Sequence, residues 1–401
     1  MFNVKKIRED FPIFKNNPNL IYFDSAATSQ KPKIVIDTIN EFYESFNSNI
    51  HRGVYSLSLE ASRRYEEAHL KVAELINAEK DEIIFTKNAT EALNLVAYSY
   101  AFYNLKEGDE ILTTIMEHHS NFLPWKKIAD LKGAKLKFLY INKNTYELEF
   151  DEKMINEKTK IVALCFVSNF LGTINPVKEI SKIAKEKGAT VILDAAQAVP
   201  HLKIDVKEIG ADFIAASGHK MLGPSGTGFL WGKKELLEKM EPFIFGGGAI
   251  KDVKVDSVKW EDIPWKFEAG TPNICGGIAL GEAAEYLKNI GMEKVFEHEK
   301  NLLSYFFEKV KEIDEIEIYG PDLNKRVGVI PFNIKGADSH DVAGMLDSEG
   351  ICVRSGRHCT HPLLDFLEIE SSVRASFYIY NDYEEIDRFI ESLKRIISYI
   401  K

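Results

Sequence analysis

Residues 216–230 read ASGHKMLGPSGTGFL and decide the fold, because they join two strand-like runs through a lysine and a glycine-rich turn. The run ADFIAAS at 211–217 leads into the turn, and GFLWG at 228–232 follows it. Both runs are short, apolar and rich in β-forming residues, which is typical of buried strands. Lys220 therefore lies in a loop at the end of a buried strand, where ligand-binding side chains converge.

Upstream of this turn, strand-like runs alternate with amphipathic helical runs. Three strand-like runs are each followed by a helical run, and a fourth strand-like run, TVILDAA at 190–196, comes after them. The runs are EIIFT at 82–86, EILTT at 110–114 and IVALCFVS at 161–168, with helical partners at 90–103, 121–133 and 177–188. Repeated βα units predict an α/β fold with a mainly parallel sheet covered by helices.

The pattern changes near residue 285, where a long helical run precedes short strand-like runs with one helix between them. This arrangement is typical of a smaller α+β domain. We predict an N-terminal segment, 1–20, that packs on the small domain, a large domain at 21–284 and a small domain at 285–401. A chain of 401 residues is long enough for two hydrophobic cores.

Composition restricts the partners. The formal net charge is -10, with both signs mixed along the chain, which argues against nucleic acid or an anionic membrane as a partner. The N-terminal residues do not resemble a secretory signal, and no apolar run is long enough to span a membrane. Four cysteines without framework spacing suit a reducing compartment, so we expect a cytoplasmic protein.

Lys220 is the first candidate for catalysis. An amine that forms a Schiff base must lose its proton, so it needs desolvation or nearby positive charge to lower a pKa of about 10.4. On this stretch alone, a solvated surface lysine in a glycine-rich loop is the more common case. The Schiff-base alternative predicts pyridoxal phosphate, which also requires a carboxylate for its ring nitrogen, an anion site and a flat group over the ring.

Two strand ends supply a carboxylate and an anion site. Asp194 ends the run TVILD, where its carboxylate emerges at the ligand-binding edge of the sheet, although an aspartate there can also cap a helix. Asn88 and Thr90 lead from a strand into a helix whose free N–H groups suit a phosphate. A capping box formed by Asn88 and Glu91 explains the same residues.

Further strand ends supply imidazoles and amides. His118 and His119 follow the EILTT strand, where an imidazole can stack on a ring and carry protons. A metal site and a purely structural pair are the alternatives, although no carboxylate or thiol lies at short ligand spacing. Asn169 ends another strand, and Gln197 follows Asp194, so either amide can bond the phenolic oxygen of the ring.

Ten motifs along the chain carry a family resemblance. They are YFDSAATSQKP, HRGVYSLS, TEALNLVA, MEHHSNFLPW, SNFLGT, DAAQAVPH, SGHKMLGPSGTG, FEAGTPN, VRSGRHC and VRASFYIYN, in this order. In order and approximate spacing, the sequence is similar to the class V branch of fold-type-I pyridoxal phosphate transferases, and more narrowly to SufS-type cysteine desulfurases.

The resemblance implies a role for each matching position. Lys220 resembles the Schiff-base lysine, Asp194 the partner of the ring nitrogen, His118 the ring-stacking acid/base and Gln197 the partner of the phenolic oxygen. It implies further positions for the phosphate, namely Thr90, Ser217, His219 and, from the neighbouring subunit of a homodimer, Thr271. It also implies positions for the substrate carboxylate, namely Asn169, Arg354 and Arg374.

Cys359 in VRSGRHC distinguishes a desulfurase from a transaminase, which has no use for a thiol there. The resemblance implies that Cys359 takes sulfur from L-cysteine as a persulfide, releases L-alanine, and passes sulfur to an acceptor protein of the iron–sulfur assembly machinery. Basic neighbours, Arg354, Arg357 and His358, are expected to favour the thiolate. A metal site with His358 and His361 remains an alternative to this role.

The same motifs leave other functions open. A selenocysteine lyase shares the scaffold, and an aminotransferase or a non-catalytic iron–sulfur assembly scaffold would leave Cys359 without this role. The sequence also departs from the expected pattern after the cysteine, because Thr360 and His361 stand where smaller or less basic residues are expected. The identity of the sulfur acceptor is therefore open at this level.

Overall fold

The computed structural model describes residues 2–400. Fifteen strands are described, numbered in chain order. They are β1 Ile21–Tyr22, β2 Ile83–Thr86, β3 Glu110–Thr114, β4 Lys135–Leu139, β5 Thr159–Cys165, β6 Thr190–Asp194, β7 Phe213–Ser217, β8 Gly228–Gly232, β9 Ile250–Val253, β10 Val258–Trp260, β11 Ile316–Ile318, β12 Val329–Ile334, β13 Ile351–Cys352, β14 Arg354–Gly356 and β15 Ser372–Ser376.

The α-helices are numbered in the same way. They are α1 Val4–Glu9, α2 Pro12–Asn16, α3 Lys33–Glu41, α4 Ser56–Leu75, α5 Ala89–Val96, α6 Phe102–Asn104, α7 Leu123–Lys132, α8 Val177–Glu186, α9 Val206–Ile209, α10 Lys234–Leu237, α11 Ile274–Ile290, α12 Met292–Val310, α13 Ser339–Ser348, α14 His361–Leu367 and α15 Tyr383–Ile400. None of them is both long enough and apolar enough to cross a membrane.

A seven-stranded sheet in the order β2-β8-β7-β6-β5-β3-β4 forms the centre of the molecule. Only β8 is antiparallel to its neighbours, so the predicted mainly parallel α/β sheet is confirmed. The buried apolar residues of β5, β6 and β7 lie between layers of helices, as expected for strands covered on both faces. Gly133 ends α7 in the left-handed conformation, with φ 66°, which glycine adopts without strain.

The strand order reverses between β3 and β5. From β3 the chain moves outward to β4, and from β5 it moves in the other direction through β6 to β7. Connections at such a reversal diverge from each other and leave a crevice at the carboxyl ends of the strands, where ligands of open α/β sheets bind. The strand ends that carry His118, Asn169 and Asp194 all border this crevice.

A second sheet lies in the C-terminal part of the chain. Its four antiparallel strands run in the order β11-β12-β15-β14, and α12, α13 and α15 pack on it around a core that includes Phe306, Phe332 and Phe389. The proposed domain boundary at 284/285 falls inside the continuous helix α11, and the chain turns only at Gly291, with φ 91°. The division into domains stays a prediction.

The N-terminal segment contacts the C-terminal part of the chain. Arg8 forms an ion pair with Glu385 in α15 at 2.7 Å and donates to the carbonyl of Tyr380. Phe11 packs edge-on against Tyr380 and Tyr286. Immediately after this segment, β1 pairs in parallel with β13, so residues near 21–24 lie beside the strand that leads to the cysteine turn.

Candidate active site

A cavity of about 330 Å³ opens at the carboxyl edge of the central sheet. It is lined by most of the side chains singled out in the sequence: Thr90, His118, Asn169, Asp194, Gln197, Ser217, His219, Lys220, Arg354, Cys359 and Arg374. Most of these residues end or follow β2, β3, β5, β6 and β7, whereas Arg354 lies in β14, Arg374 in β15 and Cys359 in the turn beyond β14. The predicted convergence of strand ends therefore places these side chains around one cavity.

Asp194 and Lys220 form the electrostatic centre of the cavity. Asp194 is the last residue of β6 and is 6 % exposed, and burial raises its pKa. Its Oδ1 accepts from the backbone N–H of Ala196 at 2.9 Å, in a turn rather than at a helix start. Burial lowers the pKa of Lys220 to about 8, against the opposing pull of the Asp194 carboxylate. At neutral pH an appreciable fraction of the amine is therefore uncharged.

His118 is a neutral imidazole in this site. Burial, with Lys220 and Arg374 nearby, lowers its pKa to about 3. Its Nδ1 accepts from the backbone N–H of Ser120 at 3.1 Å, so the proton of the neutral ring is on Nε2. Ser120 Oγ lies 3.0 Å from the same Nδ1 and 2.6 Å from Thr90 Oγ1, which ties the imidazole to the start of α5.

The start of α5 and the end of β7 present polar groups to the cavity that could hold an anion. Asn88 caps α5 by accepting from the N–H of Glu91 at 3.0 Å, and the N–H of Ala89 donates to Ser217 Oγ at 2.9 Å. Thr90 remains exposed to the cavity. Asn88 therefore caps the helix, and the cap leaves Thr90 facing the cavity. His219 borders the same region, where burial lowers its pKa to about 4.

Two arginines are organised by one carboxylate. Asp24 accepts from Arg354 Nη2 at 3.0 Å and lies 3.4 Å from Arg374 Nη2. Arg374 is 3 % exposed, and burial lowers its pKa to about 10. Its Nη1 donates to the carbonyl of Asn169 at 2.8 Å, while its Nε has no partner in the described structure. A buried guanidinium with a free N–H suits a ligand carboxylate.

Cys359 reaches the cavity from a turn of unusual backbone. It is exposed and unpaired, and both His358 and Cys359 have positive φ, 50° and 57°. His358 is buried, and burial lowers its pKa to about 3, so the expected positive charge beside the thiol is absent from this residue. Arg357 pairs with Asp365 instead of standing free. Arg354 is therefore the cation of this turn that borders the cavity.

Thr271 is the one predicted phosphate ligand that does not line this cavity. It is exposed and lines a different cavity, of about 470 Å³, together with His51 and Arg52. Its Oγ1 is 3.4 Å from Asn49 Nδ2. Within residues 2–400, no group of three or more histidine, cysteine or acidic side chains is placed to hold a metal ion.

Three site residues were missed in the sequence. Asp24 and Ser120 lie within motifs quoted above, and Glu117 directly precedes His118. Glu117 is buried beneath the site, where it accepts from Thr114, Asn121 and the backbone of Cys165, and burial raises its pKa to about 7. The signal that could have found Asp24 is its position as an acidic residue directly after the strand-like run LIYF at 20–23.

The cavity fits pyridoxal 5'-phosphate on its own chemistry. Asp194 offers a carboxylate, Lys220 an amine of lowered pKa, and the start of α5 polar groups that could hold an anion. Gln197 is 2 % exposed, and its Oε1 has no partner among the described residues, while its Nε2 donates to Ala26 O at 2.7 Å. A buried amide with unused hydrogen-bonding capacity in a polar cavity indicates a site built for a polar ligand.

Comparisons with known proteins agree with this geometry. A probable cysteine desulfurase of Halalkalibacterium halodurans is 49% identical over 402 residues, which covers 99% of this chain and 98% of the relative. The apo structure of a cysteine desulfurase from Thermococcus onnurineus superposes with a TM-score of 0.94 at 42% identity, covering 98% of both chains. A cysteine desulfurase from Escherichia coli, in an S-sulfonic acid form, gives 0.91 at 33% identity, covering 100% of this chain and 99% of that one.

Fold and site together define a fold-type-I pyridoxal phosphate enzyme. The family described as Aminotransferase class-V matches residues 21–389. The chain belongs to this family.

Proposed function

We propose that this protein is a pyridoxal phosphate-dependent cysteine desulfurase that converts L-cysteine to L-alanine and retains the sulfur on Cys359. The observation that carries the proposal is one cavity lined by Lys220, Asp194 and a thiol, Cys359. A transaminase has no use for the thiol, and the similar proteins named above support the desulfurase assignment.

The cofactor, when bound, supplies an aldehyde for amines and a ring that accepts electron density from the substrate. Lys220 Nζ, which is partly neutral at pH 7, would bind the aldehyde and would carry the proton of the substrate Cα. Asp194 would keep the ring nitrogen protonated, and His118, whose own proton is on Nε2, would be the residue that covers the ring. Thr90, Ser217 and His219, which line the same cavity, would hold the phosphate.

Arg374 binds the substrate carboxylate, supported by Asp24 and by the Asn169 carbonyl. Arg354, paired with the same Asp24, adds positive charge at the mouth of the cavity. A guanidinium that binds a carboxylate through two N–H groups fixes its orientation, and hence which Cα bond is broken.

The sulfur step is balanced within the site. The Cys359 thiolate attacks the sulfur of the substrate, so that an S–S bond forms and the Cβ–S bond breaks. The electron pair of the broken bond stays on Cβ, which takes up a proton. One L-cysteine and one thiol therefore give one L-alanine and one persulfide, and no external oxidant is consumed.

The first test adds L-cysteine, without reductant, to protein reconstituted with pyridoxal phosphate. We expect one extra sulfur on the peptide that contains Cys359, found by peptide mass spectrometry, and an equal amount of alanine in the first turnover. A bound cofactor with neither product would contradict the proposal. Faster cleavage of selenocysteine than of L-cysteine would favour a selenocysteine lyase. Formation of a keto acid would favour a transaminase, and failure to bind the cofactor would favour a non-catalytic scaffold.

We propose further that the protein acts as a homodimer in which Thr271 completes the phosphate site of the neighbouring subunit. Two observations support this arrangement. Thr271 is exposed and lies outside the cavity of its own chain, and its cavity contains His51 and Arg52 from the HRGVYSLS motif. An exposed hydroxyl in the same cavity as the Arg52 guanidinium suits an anion delivered from outside the chain.

Complementation between two inactive variants tests this arrangement. Lys220→Ala removes the amine, and Thr271→Asp places a negative charge against the phosphate. The two variants are unfolded and refolded together, so that roughly half of the dimers are mixed if pairing is random. Each mixed dimer contains one pocket with both native residues and one without them. Activity should therefore recover to roughly a quarter of the native level. A mixture as inactive as its components would contradict a shared site.

We propose that the sulfur leaves Cys359 for an acceptor protein of the iron–sulfur assembly machinery in the cytoplasm. Support comes from the exposure of Cys359 at the mouth of the cavity and from four unpaired cysteines, which suit a reducing compartment. Loss of the extra sulfur from Cys359 when a carrier protein is added, and its appearance on a carrier thiol, would be the measurement. Cell fractionation would locate the protein.

A further inference from the structure

Cys359 occupies a strained turn that other parts of the chain must hold. A left-handed conformation costs a non-glycine residue ~1–2 kcal/mol, and His358 and Cys359 adopt it consecutively. Such strain persists only where surrounding contacts fix the backbone. The contacts of this turn therefore decide where the Cys359 thiol lies relative to the cavity.

Two backbone carbonyls of the turn are held from the central sheet. Asn169 Nδ2, beyond β5, donates to the carbonyl of His358 at 2.8 Å. The N–H of His119, beyond β3, donates to the carbonyl of Cys359 at 2.9 Å. His119 directly follows His118, so the chain segment that carries the cavity imidazole also holds the cysteine.

The side chain of His119 makes a second contact, with His361. The two rings stack with centroids 4.6 Å apart and planes 12° apart, and His119 Nε2 lies 2.8 Å from His361 Nδ1. The backbone N–H of His361 is also directed at His119 Nε2, at 3.3 Å. A ring nitrogen that faces two donors must be unprotonated, so His119 Nε2 accepts and His361 Nδ1 carries a hydrogen.

The surroundings favour this arrangement of protons. Burial, together with the charges of His361 and Arg357, lowers the pKa of His119 and leaves its Nε2 free to accept. His361 is the first residue of α14, and Pro362 follows it, so the ring stands on the rigid start of a helix. The turn is thus held on both sides of Cys359, at the Cys359 carbonyl and at the His361 ring.

We propose that His119 and His361 form an imidazole clasp that positions Cys359 for sulfur transfer, an inference that rests on the proposed function of the cavity. Cys359 is one of the described residues that line the cavity, whereas His119 and His361 are not among them. His361 is accordingly a positioning residue, which acts through the cysteine turn. It should affect the sulfur step and leave binding of L-cysteine and of the cofactor unchanged.

A matched pair of substitutions tests the clasp in the holoenzyme. His361→Leu removes the donor nitrogen, whereas His361→Asn keeps an N–H at the same distance from the backbone. In a single turnover we expect His361→Leu to place sulfur on Cys359 ~10-fold more slowly, because a thiol released from its position samples unproductive orientations. The KM for L-cysteine should change by less than about twofold, since binding groups are untouched. His361→Asn should recover most of the transfer rate.

Alkylation gives an independent measurement. Without substrate, Cys359 of His361→Leu should react several-fold faster with iodoacetamide than Cys359 of the native protein, because a released turn exposes the thiol more fully. A several-fold increase in rate is the size expected from the loss of one hydrogen bond. Native transfer and alkylation rates in His361→Leu would overturn the clasp, as would equal losses in both variants. Loss of cofactor binding in His361→Leu would also overturn it, by showing a role in the whole cavity. Absence of sulfur on Cys359 in the native protein would instead contradict the proposed desulfurase function.

Discussion

Lys220→Ala protein is expected to bind pyridoxal phosphate without forming a covalent bond and to lose roughly 10⁴-fold in desulfurase rate, because the residue that moves the Cα proton is gone. Reduction with borohydride followed by peptide mapping is the measurement. The native protein should carry the reduced cofactor on the peptide containing Lys220, and the variant should carry none. Lys31→Ala is a control, because Lys31 also has a lowered pKa, about 7, yet lies outside the cavity-lining set.

The same lysine makes cofactor uptake depend on pH. Only the neutral amine attacks an aldehyde, and the pKa of Lys220 is lowered to about 8. The neutral fraction therefore rises ~6-fold between pH 7 and pH 8 and levels off above about pH 9, whereas a lysine of ordinary pKa would keep gaining up to about pH 11. Stopped-flow absorbance of pyridoxal phosphate mixed with apoprotein should follow the first curve. A rate that still climbs ~7-fold between pH 9 and pH 10, as for a lysine of pKa about 10.4, would contradict the role of a desolvated amine.

Cys359→Ser protein should lose roughly 10³-fold or more in alanine formation, because a hydroxyl replaces the thiolate that attacks sulfur. The earlier proton step does not need the thiol. We therefore expect the variant to exchange the Cα hydrogen of L-alanine with deuterium from the solvent at nearly the native rate. Proton NMR of the alanine pool measures this exchange.

Cys275→Ser provides a matched control for the loss of a thiol. Cys275 is unpaired and partly exposed like a surface thiol, but it lies at the start of α11, where its sulfur contacts Tyr43. This variant should keep both alanine formation and hydrogen exchange. Native alanine formation in Cys359→Ser, or loss of hydrogen exchange in that variant, would contradict the assignment of Cys359 as the sulfur-accepting group.

The sequence predicted several of the side chains that line the cavity from their positions after strands of the central sheet. His118, Asn169, Asp194 and Lys220 were found in this way, because parallel strands deliver their carboxyl ends to one edge of the sheet. Strand periodicity and turn chemistry are local properties, so they can be recognised without tertiary structure. The order of the strands, including the antiparallel β8, depends on non-local pairing and was not predicted.

Contacts between distant segments escaped the sequence for the same reason. Asp24 and Arg354 are separated by 330 positions, and no local pattern joins them. The left-handed turn at His358 and Cys359 also has no local signal, because neither residue is a glycine and the conformation is imposed by Asn169 and His119. The expectation that His358 would add positive charge failed because burial keeps its imidazole neutral.

The contact between Ala89 and Ser217 has a consequence for folding. It joins segments 128 positions apart, and it exists only when β8 has paired with both β2 and β7. Contacts of such sequence separation close late, because loop-closure entropy must be overcome first. A ligand whose phosphate needs both segments binds the completed sheet. It has no comparable site on partly folded chains in which the two segments are still apart. By mass action, such a ligand would stabilise the completed fold relative to chains in which the two segments are still apart.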